Sequence, residues 1–99
     1  RPEKLEQTEA LIRAAGGECI SICAPLDGDR ERCRSLVEEA AEGLGGLDIL
    51  INCAGTNRRK RIEDVTEDDW QTILKVNLDS VFWLSQAAQP LMCDRGGGK

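Results

Sequence analysis

Residues 48–55 read DILINCAG, an apolar run that carries an amide, Asn52, near its end and closes on Ala54-Gly55. Taken from Leu47, the stretch LDILINC is apolar on both sides of a pleat, with no polar alternation. Strands of that kind belong inside parallel sheets covered on both faces. In open sheets with helices on both faces, ligands bind beyond the carboxyl ends of the strands. Asn52 lies at such an end, where its amide is able to brace the neighbouring turn. Ala54 and Gly55 are small enough to let a flat ligand approach the backbone. A tight turn with a structural asparagine would use the same residues.

The flanking pattern agrees with a layered fold. Upstream, Leu5, Thr8, Leu11, Ile12 and Ala15 recur at helical spacing. Gly16-Gly17 then supplies the usual stop signal. ECISICA is short and bounded by turn residues, which predicts a strand over about Glu18 to Cys23. PLDGD reads as a turn, with Asp29 as cap of a second helix. That helix carries Cys33, Leu36, Val37, Ala40 and Ala41 on one face, and GLGG ends it. Downstream, after the loop GTNRRKRIEDV, Thr66 starts the longest helix, its hydroxyl placed to accept from the backbone near Asp69. Trp70, Ile73, Leu74, Leu78, Val81, Leu84, Ala88 and Leu91 form one stripe, with Val76, Phe82 and Trp83 off it. Such a helix expects cover on two sides, one from a sheet and one from a partner such as a second subunit.

The order helix, strand, helix, strand, helix predicts an α/β fold with right-handed crossovers and a parallel sheet. Two strands fall short of the ~5–6 of a typical sheet. The chain also lacks an initiating Met and ends in RGGGK. The expectation is an interior part of a larger domain.

Composition narrows the class. The chain has 99 residues, 40% apolar and 31% charged, which fits one small globular unit with an aliphatic core. A formal net charge of −5 argues against a general nucleic-acid binder. No apolar run approaches the ~20 residues needed to span a bilayer, and no signal-peptide pattern opens the chain. The five cysteines form no C-x-x-C pair and there is no histidine, so no metal site is expected. Free thiols fit a reducing compartment, hence a cytoplasmic expectation.

Two more features carry chemical interest. Asn77, in KVNLDSVF, sits mid-helix although asparagine is a mediocre helix former. It is either a satisfied polar core residue or one that perturbs the helix and frees a backbone carbonyl for a water. Residues 58–61 read RRKR. They form either a solvated loop or, since the loop leaves the ligand-facing edge, a site where Arg58 or Arg59 grips a carboxylate by a forked hydrogen bond.

DILINCAG resembles the D-x-L-V-N-N-A-G stretch of the short-chain dehydrogenase/reductase family, and VTEDDWQTILKVNLDSVFWLSQAA resembles that family's helix with its Trp and Val-Asn-Leu. The resemblance covers essentially all of the chain. It implies a Rossmann-type doubly wound parallel sheet, with residues 1–99 as the central part of one NAD(P)-binding domain. It also implies hydride transfer with NAD or NADP and a small-molecule substrate. Of the family's Asn-Ser-Tyr-Lys tetrad only Asn77 is matched, as the residue whose main-chain carbonyl holds a water in a proton relay. Asn52, Ala54 and Gly55 match the cofactor pocket, with Leu26 and Asp27 at the end of the first strand. The glycine-rich loop and Tyr-x-x-x-Lys are expected outside residues 1–99, so the chain alone is expected to be inactive.

Departures exist. Cys53 replaces the second Asn of the motif. Pro25 stands where the family carries an Asp, and proline has neither carboxylate nor N–H; Asp27 is the nearest substitute. Arg58-Arg59 after Ala-Gly is similar to sugar-acid dehydrogenases that act on 2-deoxy-D-gluconate or gluconate. A 3-oxoacyl-carrier-protein reductase, its basic loop facing an acidic carrier, is the alternative enzyme. A non-catalytic oligomerising member of the family is the alternative class. A homo-oligomer, dimer or tetramer, would assemble through the helix over 67–93. No membrane or nucleic-acid partner is implied.

Overall fold

Helices account for every regular element of the computed structural model, which describes residues 1–99. In chain order they are α1 (Pro2–Ala14), α2 (Arg30–Leu44), a 3₁₀ turn (Ile62–Asp64), α3 (Glu67–Leu74), a π turn (Lys75–Asp79) and α4 (Ser80–Asp94). The expected α/β fold, a Rossmann-type doubly wound parallel sheet, is not formed. Neither Glu18–Cys23 nor the stretch from Leu47 is a strand. The reason lies in the ladder, since a strand exists only through its neighbours. Residues 18–27 make no backbone–backbone hydrogen bond at all. In the second stretch, Leu50 N–H donates to the Lys99 carbonyl at 2.8 Å and Lys99 N–H to the Asp48 carbonyl at 3.0 Å, and nothing extends the pairing.

Helix ends follow the local chemistry. The Asp29 carboxylate accepts from Arg32 N–H at 2.8 Å and starts α2. Thr66 and Asp69 form a reciprocal capping box: Asp69 N–H donates to Thr66 Oγ1 at 3.0 Å, and Thr66 N–H to Asp69 Oδ2 at 3.1 Å. α1 stops at Gly16 and α2 at Gly45. The long helix expected from Thr66 onward is not continuous. It is α3 and α4 joined by the π turn.

α2 packs on α4. Cys33 and Val37 from one helix meet Leu84 and Ala88 from the other, and Leu26, Leu47, Leu50 and Leu91 close around them. Only 7 of the 99 residues are buried, and the apolar ones among them all lie on α2 and α4, so this one helix pair is the core. α1 buries none of its residues. Polar contacts tether it instead: Ser21 Oγ donates to Glu9 at 2.6 Å, and Arg13 donates to both Glu9 and the Cys19 carbonyl. The DILINCAG segment is anchored at its start by Arg95. Its guanidinium forks onto the Asp48 carboxylate at 2.9 and 3.0 Å and reaches the Gly45 carbonyl at 3.2 Å. Leu47 and Leu50 pack inward, while Ile49 and Ile51 stand 61% and 75% exposed. The second apolar side of the α3–α4 element is likewise uncovered, with Trp70, Leu78 and Phe82 all more than half exposed. No helix is long and apolar enough to cross a membrane.

Candidate functional site

The packed half of the segment ends at Leu50, and the chain then runs exposed through Asn52, Ala54 and Gly55. Beside it runs the stretch that ends in Leu26 and Asp27. Leu26, Asn52 and Ala54 line one small cavity of about 60 Å³, walled on the helix side by Val76, Ser80 and Leu84. Three of the five residues expected at a cofactor pocket therefore share a cavity. Gly55 follows directly. A Cβ built there would meet only Asn77 Oδ1, at 3.5 Å, so one face of its backbone is open.

Asn77 lies in the π turn, on the same side as Gly55. Its amide takes up both backbone groups of Thr56. Thr56 N–H donates to Asn77 Oδ1 at 2.8 Å, and Asn77 Nδ2 donates to the Thr56 carbonyl at 2.9 Å. The side chain thus gives the loop after Ala-Gly the pair of bonds that an adjacent strand would offer. The turn itself is widened by one residue: Ser80 N–H reaches the Lys75 carbonyl instead of the one four back. Such single π turns inside α-helices are frequent at functional sites.

Asp27 is exposed but engaged. Its carboxylate pairs with Arg32 and accepts from Asp29 N–H at 3.2 Å. The Arg32 hydrogen bond, and then the Asp29 N–H, hold its carboxyl below the usual range.

The basic loop divides. Lys60 Nζ donates to Asp69 Oδ2 at 2.6 Å, and Arg58 Nε stands 3.9 Å from Asp69 Oδ1. Arg61 faces Glu63 at 3.9 Å. Arg59 is exposed and has no acidic partner. The sequence pairs Arg58 with Arg59; the structure leans Arg58 toward the start of α3 and leaves Arg59 as the unengaged cation. Neither reaches the cavity lined by Leu26, Asn52 and Ala54.

Asp69, whose side chain is only 8% exposed, has its pKa lowered to about 2, first by the Lys60 hydrogen bond and then by Thr66 N–H. The unfolded carboxyl titrates at about 3.9. The stabilisation is therefore complete above pH 4 or so and is lost as the pH falls from about 4 toward 2. Urea midpoints measured across that window will drop in the wild type more than in Asp69→Asn. Equal pH dependence in the two proteins would remove Asp69 as the anchor of the basic loop.

Sequence reasoning missed Ser80 and Gly28. Ser80 is 1% exposed, and its Oγ accepts from Gly28 N–H and donates to the Lys75 carbonyl. A signal was present: Ser80, Leu84 and Ala88 stand at intervals of four, so the buried stripe begins on a hydroxyl.

The short chain dehydrogenase family model matches residues 1–99. The chain is 40% identical over 86 residues to an L-2,3-butanediol dehydrogenase of Corynebacterium glutamicum, covering 87% of this chain and 33% of that protein. It is 36% identical over 97 residues to a 2-dehydro-3-deoxy-D-gluconate 5-dehydrogenase of Bacillus subtilis, covering 96% of this chain and 37% of that protein. It superposes with a TM-score of 0.84, at 39% identity, on a short chain dehydrogenase from Burkholderia cenocepacia in complex with NADP. That match covers 90% of this chain and 36% of the other. The chain spans about a third of the length of the curated relatives it matches.

Proposed function

The chain belongs to the short-chain dehydrogenase family, and on that premise we propose that it is the central part of the nucleotide-binding domain of an NAD- or NADP-dependent oxidoreductase acting on a hydroxy or keto group of a sugar acid. The observation that carries the reading is the Asn77–Thr56 clamp set beside the open backbone of Gly55.

The residues fit a nicotinamide dinucleotide. Gly55 leaves an open approach, Ala54 and Leu26 give an apolar wall, and Asp27 provides a fixed anionic acceptor where Pro25 provides none. When bound, the dinucleotide supplies the hydride chemistry. This chain's share is to bind and to orient. Asn52 lines the cavity without a side-chain hydrogen bond of its own, and the amide of Asn77 fixes the loop beyond Gly55. The main-chain carbonyl of Asn77 is assigned to hold a water in the proton relay. The exposed Trp70, Leu78 and Phe82 suit contact with a second copy, which makes a homo-oligomer through α3 and α4 the expected assembly.

The sugar-acid reading rests on Arg59, the loop cation without an acidic partner, and on the name carried by the Bacillus subtilis relative. In the full-length protein, Arg59→Ala is expected to raise KM for gluconate-type acids about tenfold, the worth of a charge-assisted hydrogen bond, with kcat changed far less. An unchanged KM would discard the carboxylate contact and leave the oxidoreductase reading standing. Absence of turnover with both NAD and NADP over a panel of hydroxy acids and ketones would discard the oxidoreductase reading itself.

A further inference from the structure

A buried serine inside a helix usually returns its hydroxyl to a carbonyl one turn back. Ser80 does more. Its Oγ donates to the Lys75 carbonyl at 2.9 Å and accepts from Gly28 N–H at 3.0 Å, a contact between residues 52 apart in sequence. The hydroxyl thereby uses its donor and one acceptor position, and at 1% exposure water has no access to replace either bond.

The two partners belong to the two halves of the site. Lys75 opens the π turn that carries Asn77, and Gly28 closes the stretch that carries Leu26 and Asp27. No other hydrogen bond joins residues 18–28 to α3, the π turn or α4. The approach is close. A Cβ on Gly28 would stand 3.0 Å from Lys75 Cβ and 3.1 Å from the Lys75 carbonyl oxygen.

We infer that Ser80 is a positioning residue: its hydroxyl sets the Leu26–Gly28 loop against the Asn77 turn, so that cofactor contacts on one and the relay contact on the other keep one register. This rests on the oxidoreductase reading above. Alanine removes both bonds. Threonine keeps the hydroxyl, and its extra methyl has the 60 Å³ cavity that Ser80 lines to enter.

The test uses the full-length protein, with NAD and NADP as probes, and amide hydrogen exchange at Gly28 and Thr56. Wild-type binding of either dinucleotide is the control for the cofactor reading; if neither binds, that reading falls, and the exchange experiment still judges Ser80. Ser80→Ala is expected to raise the dissociation constant of whichever dinucleotide binds by about three- to tenfold, the range for one neutral hydrogen bond. It is expected to speed exchange at Gly28, which it touches, and at Thr56, which it does not. Ser80→Thr is expected to restore both. Should Ser80→Ala fail to fold, Ser80→Cys, near in size with a weak donor, carries the same readouts. Faster exchange at Gly28 alone, or a threonine variant no better than alanine, would overturn the inference and reduce Ser80 to a local cap.

Discussion

Asn77→Ala is expected, on the proposed function, to lower kcat of the full-length protein about a hundredfold, the lower end of what a working general acid–base relay contributes, while the KM for cofactor moves only a few-fold. The substitution removes two hydrogen bonds, at 2.8 and 2.9 Å, from the backbone of Thr56. Thr56 is half-buried, so water recovers part of the loss. The stability cost is therefore expected at about 1–2 kcal/mol. The cost to turnover is larger for a second reason. Alanine is the best helix former and asparagine one of the weaker, so the variant gains by closing the π turn back into regular helix. On the proposed function, closure shifts the Asn77 carbonyl from the place where it would hold the relay water. Steady-state kinetics beside circular dichroism separate the two effects. A folded alanine variant with kcat within about threefold of wild type would show that Asn77 only holds the loop, because an interaction made solely in the transition state lowers kcat when lost.

How far the fold was legible follows from how local each device is. Asp29 and the Thr66/Asp69 box act within three residues, and both caps form as the sequence reads. The face of α2 with Cys33, Val37 and Ala41 is equally local, a matter of spacing alone, and it is the buried face. The sheet is not local. Segments 18–23 and 47–53 need partner strands wherever these stand in sequence, and the chain gives the first no backbone bond and the second only the two with Lys99. Ile49 and Ile51 show the consequence. Their pattern reads as doubly covered strand, yet α4 covers only the other side of the segment.

The site divides along the same line. Asn52 and Ala54 were singled out from their place at the end of an apolar run, Leu26 only through the family resemblance, and the three line one cavity. Asn77 stood out because it fits its helix poorly. Its partner did not, since nothing in the letters connects position 77 with the backbone of Thr56. Asp69 was legible only as the residue whose backbone meets Thr66, and the role of its carboxylate as counter-ion to Lys60 depends on the course of the loop over 57–61. That course is also what separates Arg58 from Arg59. Ser80 escaped notice because its bond to Gly28 spans 52 positions.

Gly28→Ala is expected to destabilise the full-length protein by about 2–4 kcal/mol, from left-handed strain of roughly 1 and overpacking of about 1–3. Gly28 has φ +83°, where a Cβ is unfavourable whatever surrounds it. It also lies where that Cβ would stand 3.0 to 3.2 Å from Lys75 Cβ, carbonyl oxygen and Cα. These atoms belong to helix backbone or its immediate branch and do not swing aside as the tip of a long side chain would. Gly45 isolates the contact. Its φ is +82°, and a Cβ there would meet nothing within 4 Å. Gly45→Ala therefore carries the strain alone and is expected to cost about 1 kcal/mol. Urea unfolding at constant slope gives the comparison directly, since a shift in midpoint without a change in slope is a change in stability. The excess at Gly28 measures how firmly the Leu26–Asp27 loop is seated on the turn that carries Asn77, because seating it any looser would let the methyl in. Equal costs at the two glycines would mean that the loop does not rest on Lys75, and the common register of the two halves of the site would be lost with that contact.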